Sequence, residues 1–187
     1  MNSINFTANL VKRTQIQKTK DFKTYNPTEA SIVELDKYDE RDLNSLYKTV
    51  VLWNDQNAKY SSSIYHEAIK GYEYDDVEQE HYFALTTQKD NFKELDPNKI
   101  LGLMLFSQTN AKEDEINWLQ VRPNTSVKQT WKREFSGAGK GLVTFLKDTK
   151  LGKPIHVQAD INAVEFYKKM GFTNRENDGN CSLYLEI

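Results

Sequence analysis

Only one cysteine, Cys181, occurs in the 187 residues, so no disulfide can form within the chain. Histidine is nearly as scarce. His66, His81 and His156 stand far apart, and no Cys/His cluster has metal-site spacing, so no metal is expected. No run approaches the roughly 20 apolar residues that a membrane helix needs. The opening MNSINFTANLVKRTQIQ lacks the apolar core of a secretion signal. The expectation is a cytoplasmic protein with no membrane partner. An excess of either charge is missing too. The 25 Lys and Arg against 27 Asp and Glu leave a formal net charge of −2. General nucleic-acid binders are strongly basic, so no nucleic-acid partner is expected. What is present is the 38% hydrophobic and 28% charged content of a globular protein, at a length that suits one domain.

Residues 1–28 are polar, mixed in charge and without a clear period, and read as an N-terminal extension: an arm or an edge segment, with a turn at Pro27. A single domain is expected over 29–187. SIVEL (31–35) is a short strand. Asp39 reads as an N-cap with Asp42 three residues on, and Leu43, Leu46, Tyr47, Val50 and Val51 then recur at helical spacing over 40–53. A second helix fits 62–70, stopped by Gly71. YEYDDVEQE (72–80) carries five acids and no base. Strands follow at 81–87, 99–109 and 115–123, joined by short links that suggest an antiparallel meander. After a polar loop over 124–135 come a glycine-rich loop with a helix of about 139–150, a strand at 153–160, a helix at 162–171 and a strand at 181–187. This order gives an α/β fold, a mixed sheet with helices on its faces.

The stretch SGAGKGLVTFLKD (136–148) has the features of an anion cradle. Its glycines let a ligand come close to the backbone, and the first N–H groups of the following helix have no internal partner. Lys140, with Lys132 and Arg133 upstream, adds positive charge. A nucleotide P-loop is excluded, because Glu134 stands where its first glycine belongs and Gly141 where its Ser/Thr belongs. A dinucleotide fingerprint is excluded, because Leu142 occupies the place of the third glycine.

The flanks of the loop narrow the choice. LQVRP (119–123) precedes it, and DINAVEFYKKMGF (160–172) follows the strand IHVQA. This combination resembles the GNAT superfamily of acyl-CoA-dependent N-acyltransferases, matching its helix motif at Asn162, Ala163, Val164, Phe166, Tyr167, Gly171 and Phe172. The resemblance covers 81–187 well and the first helices loosely. It departs in two places: Gly137 lies fourteen residues after Pro123, a longer connection than the family's, and Glu134 replaces the family's Arg or Gln, with Arg133 one place off.

The resemblance implies a mostly antiparallel central sheet with helices on both faces and a splayed strand pair that forms an acetyl-CoA slot. It implies acetyl-CoA as co-substrate, the backbone of Leu119, Gln120 and Val121 along the pantetheine arm, and Arg133, Gly137, Ala138, Gly139, Lys140, Gly141 and Leu142 around the pyrophosphate. Whether Gly137 or Gly139 opens that grip is left open. Asn162 either contacts the cofactor or caps its helix. Tyr167 corresponds to the family's proton donor to the departing thiolate. His156, Glu115 and Glu80 are the candidate bases. No acyl-enzyme is expected, because Cys181 sits by the last strand. The acceptor side falls to Trp53, Asp55, Tyr60, Tyr65, Tyr72, Tyr74, Asp75, Asp76, Glu78 and Glu80, aromatic and acidic groups that suit a cationic amine.

The expected function is acetyl transfer to a primary amine, on a small molecule or a peptide, by direct transfer in a ternary complex. The expected assembly is a monomer or homodimer. The alternatives are a non-catalytic acyl-CoA-binding sensor or interaction module, and an acetylating toxin acting on charged tRNA, which the net charge disfavours.

Overall fold

The structure is a computed structural model that describes residues 8–19, 24–54, 58–70, 77–123, 134–149, 153–175 and 179–186. Its elements run β1 (Asn9–Thr19), β2 (Tyr25–Leu35), α1 (Glu40–Asn54), α2 (Lys59–Lys70), β3 (Val77–Thr86), β4 (Ile100–Thr109), β5 (Asp114–Val121), β6 (Phe135–Ser136), α3 (Ala138–Thr149), β7 (Ile155–Gln158), α4 (Val164–Lys169) and β8 (Ser182–Leu185). All eight strands form one sheet in the order β6-β1-β2-β3-β4-β5-β7-β8. Every pairing is antiparallel except β5 with β7. The mixed α/β architecture and the β3-β4-β5 meander are as expected from the sequence.

Alternation along the strands builds two cores. Ile32, Phe83, Leu85, Met104 and Phe106 pack with α3 and α4 on one face. Val33, Leu35, Tyr82, Ala84, Leu103 and Leu105 pack with α1 and α2 on the other. β4 lies near the middle and is buried on both sides, which accounts for its nearly unbroken apolar run ILGLMLF. Trp53, completely buried, anchors α1 to the second core.

Of the two alternatives for the N-terminal region, an arm or an edge segment, the structure has a strand near the sheet edge, and only the turn at Pro27 is missing. Residues 9–19 are a full strand of the same sheet, and β2 begins at Tyr25. Pro27 stands in β2 opposite Gln17, so there is no turn there. β3 pairs only with Ser31–Leu35, so Pro27 falls where β2 has a neighbour on one side, and its missing N–H is tolerated there. At the start of α1, the Asp39 side chain accepts the Arg41 N–H at 2.8 Å, as an N-cap should. Asp42 does not complete a capping box. Its Oδ2 instead accepts the Asp36 N–H at 2.8 Å. The α4 helix is shorter than its motif, beginning at Val164 after a turn over Asp160–Ala163.

Candidate functional site

The site begins where two strands part. β7 pairs with β5 only at Asp114↔Ile155 and Glu115↔His156. Beyond that point β5 continues to Val121 with no neighbour on this side among the described residues, while β7 runs to Gln158. A bulge sharpens the divergence. Leu105 faces Trp118 and Phe106 faces Ile116, so Asn117 is an extra residue in β5, left out of the ladder with its backbone groups. The resulting slot is a cavity of about 80 Å³ between Asn117, Trp118 and Leu119 on one wall and Val157, Gln158, Ala159 and Asp160 on the other. Ala163 and Tyr167 reach it from the α4 side, and Tyr60 from α2.

The glycine loop lies beside the open end of β5. Gly137 takes φ +92°, a left-handed conformation that favours glycine, and its carbonyl accepts the Gly141 N–H at 2.8 Å. It is therefore Gly137 that opens α3. The N–H groups of Ala138, Gly139 and Lys140 have no acceptor among the described residues. A Cβ on Gly139 would come within 3.3 Å of both Val121 and Phe166, so this turn packs directly on β5 and α4. A helix N-terminus of this length whose first amides have no acceptor among the described residues has the donors and the dipole to hold an anion such as a pyrophosphate. Gly137→Ala should cost about 1 kcal/mol, a lower melting temperature than the wild type by a few degrees. An unchanged melting temperature would show that the loop relaxes.

Tyr167 is 5% exposed and packed edge-on between Phe166 and Phe172, with ring centroids 5.0 and 5.3 Å away. Burial pushes its hydroxyl pKa up, and the nearby Tyr60 adds to the shift. The group therefore remains protonated at neutral pH. Asp160 accepts the Asn162 N–H at 3.0 Å and the Tyr60 hydroxyl at 2.8 Å. These bonds hold its carboxyl at about 2. Tyr60 stacks on Trp118 at 5.4 Å, with the Lys59 ammonium 4.7 Å above the Tyr60 ring.

Other expected residues are placed differently. Leu119 lines the slot. Gln120 turns its amide onto the Val121 carbonyl at 2.8 Å, and Val121 abuts the glycine turn. Leu142 is fully buried in the core under α3, a packing position. Asn162 is exposed and does not cap α4. Its side chain joins its backbone on Asp160, which ties the turn, while the helix's cap residue is Ala163. His156 and Glu115 are brought side by side, Nδ1 to Oε1 3.6 Å, with His156 Nε2 3.0 Å from the Ser182 hydroxyl. They stand where β5 and β7 are still paired, outside the slot lining. Glu80 belongs to a different cavity. Trp53 is core, so it is not an acceptor wall, and Tyr65 packs against Tyr47. Cys181 is closer than expected. Its carbonyl accepts the N–H of Ala159, a wall residue, at 2.8 Å, but its side chain packs on the core. Arg133, Lys132, Asp55, Tyr72, Tyr74, Asp75, Asp76, most of the 124–135 loop and the side chain of Glu78 lie outside the described residues.

No family model and no curated protein matches the chain. Solved acetyltransferase structures are similar to it. The catalytic domain of Tetrahymena GCN5 histone acetyltransferase, in complex with coenzyme A, shares 18% identity over 83% of this chain and 90% of that one, with a TM-score of 0.48. The Bacillus subtilis acetyltransferase in complex with CoA shares 19% over 83% and 97%, with a TM-score of 0.46. AtaT complexed with acetyl-methionyl-tRNAfMet shares 13% over 83% and 94%, with a TM-score of 0.46. The architecture of this chain stands on its own strand order and pairing. Asn117, Trp118 and Asp160 are among the slot residues that the sequence did not single out, with Ile116 and, on the other wall, Val157, Gln158 and Ala159. Asp160 was within reach, as the first residue of the quoted α4 motif.

Proposed function

We propose that this protein is a GNAT-type N-acetyltransferase that moves an acetyl group from acetyl-CoA to a primary amine, both bound at once. The observation that carries the reading is the parting of β5 and β7 beside the start of α3, with Tyr167 in the gap. The open edge of β5 offers backbone groups to an extended amide-bearing arm, as a neighbouring strand would. The N–H groups of Ala138–Lys140 meet a pyrophosphate. A backbone N–H near the Asn117 bulge polarises the thioester carbonyl, and Tyr167 gives its proton to the departing sulfur. With its carboxyl at about 2, Asp160 is too weak a base to hold a proton at neutral pH, so it serves as a counter-charge and the amine's proton leaves through water.

The stacked Tyr60–Trp118 pair and the ionised Asp160 favour a cationic amine as acceptor. The net charge of −2 is the only ground for expecting no nucleic-acid acceptor. Since AtaT is seen with acetyl-methionyl-tRNAfMet, aminoacyl-tRNA belongs in the acceptor panel. Thermal-shift titration tests the cofactor. Acetyl-CoA should raise the melting temperature in a concentration-dependent way and ATP should not. The reverse result ends the proposal. A second reading, an acyl-CoA-binding module without transfer, is favoured by the placement of His156 and Glu115 outside the slot. It predicts the same shift with no product from any amine, peptide or tRNA.

A further inference from the structure

A larger hollow, sharing no lining residue with the slot, lies where β2 ends and β3 begins. It measures about 510 Å³ and is lined by Asn9, Leu35, Lys37, Tyr38, Glu80 and Tyr82, among others. That volume is in the range of small-molecule sites. Its walls are built by the register Leu35↔Tyr82, which closes the floor with apolar surface. The Asp36–Asp39 turn, closed by the Asp39 N–H to the Asp36 carbonyl, forms the rim.

The chemistry of the hollow centres on Glu80. Its side chain is 5% exposed, yet one oxygen, Oε1, has no hydrogen-bond partner among the described residues. The other, Oε2, accepts the Tyr82 hydroxyl at 2.9 Å and the Lys37 ammonium at 2.7 Å. The remaining carboxylates of the lining are already engaged: Glu34 with His81, and Asp36 with the Tyr38 N–H. Lys37 also lies 5.6 Å over the Tyr38 ring, which is 86% exposed at the rim. The seat therefore consists of a buried carboxylate, a phenol and an aromatic face, and the chain's own ammonium occupies it. This combination suits an organic ammonium. No group of three His, Cys, Asp or Glu side chains fit for a metal ion exists among the described residues.

We propose that this hollow is a second ligand site, for a primary alkylammonium that takes Glu80 as counter-ion in exchange for Lys37. Lys37 is a tethered occupant. Its side chain is 23% exposed and sits at the mouth, so it can swing out to water and recover the rotamer freedom it loses in the seat. The arriving ammonium replaces the Lys37 bond to Oε2, and Oε1 beside it is a buried acceptor still without a partner among the described residues. The site shares no lining residue with the slot, so the inference stands whether or not the slot carries out acetyl transfer.

Isothermal titration with 1,4-diaminobutane tests the proposal on the full chain. The wild type should show a saturable one-to-one phase at millimolar concentration or below, separate from any amine bound in the slot. Lys37→Met, which removes the tethered competitor, should bind at least tenfold more tightly. Glu80→Gln should lose the binding, and Asp160→Asn, a slot variant, should keep it. No saturable binding by the wild type, binding retained by Glu80→Gln, or binding lost in Asp160→Asn overturns the proposal. If Lys37→Met fails to fold, the wild type, Glu80→Gln and Asp160→Asn still decide it.

Discussion

Tyr167→Phe is expected to lower turnover roughly 10²-fold while leaving the affinity for acetyl-CoA unchanged. The two effects separate because of how the ring is held. Phe166 and Phe172 pack against its edges, and the whole side chain is buried, so phenylalanine fills the same space. No hydrogen bond ties the hydroxyl to any described residue, so its removal leaves no partner stranded. The melting temperature of the variant should equal or slightly exceed that of the wild type. Burial keeps the hydroxyl protonated well above neutral pH, so the alkaline limb of the rate profile should not move in the variant. Turnover in the wild-type range would remove Tyr167 from the mechanism. A parallel loss of cofactor affinity would instead make it a packing residue of the slot.

The second large effect concerns folding. Asp42 is 1% exposed in the first turn of α1, with Oδ1 unpartnered among the described residues. Burial pushes its carboxyl up to about 6 from an ordinary 3.8, against the pull of the Asp36 N–H. A folded pKa above the unfolded one means that the native state holds the proton more tightly. The stabilisation is fully present below pH 3.8 and is lost as the pH rises through about 6. At 1.36 kcal/mol per unit, the loss amounts to about 2–3 kcal/mol by neutral pH. Asp42→Asn does not titrate. Its stability relative to the wild type, from urea melts at pH 4 and pH 7, should shift in its favour by that amount between the two. A constant difference would mean that Asp42 keeps its charge in the native state with no penalty. Other carboxylates, Glu80 included, are common to both proteins and cancel in the comparison.

The parts legible in the sequence were those with a strong local period. The α1 stripe, the apolar run of β4 and the NAVEFY segment each carry their own pattern, and each lies within two residues of where it was expected. β1 was not legible. In NLVKRTQIQKT only Ile16 is buried, because this strand lies next to the sheet edge under little more than the flank of α3. β6 is two residues long and pairs with β1, more than a hundred positions earlier, which no local signal reports. The site shows the same division. Glycines before a helix announce an anion cradle, and Tyr167 comes with its motif. The slot itself is a property of pairing that stops. The bulge at Asn117 and the end of the β5–β7 ladder depend on the relation between distant strands, and so does the approach of Tyr60 from α2 to Asp160. The same holds for His156: its place on β7 is legible in the sequence, but the point at which the β5–β7 ladder opens is not.

The short β6 strand has a practical consequence. Gln17 and Lys18 pair with Ser136 and Phe135, and the Thr19 N–H donates to the Glu134 carbonyl at 2.8 Å. The entry to the glycine turn is thus moored to the N-terminal hairpin. Cutting the chain back to residue 29 in search of a smaller crystallisable unit would remove the mooring along with β1. An affinity tag that binds along β1 would pull on the glycine turn from a distance. Tags are better placed after β8, which pairs with β7 and bridges Thr173 through Tyr184 and pairs with neither β1 nor the glycine turn.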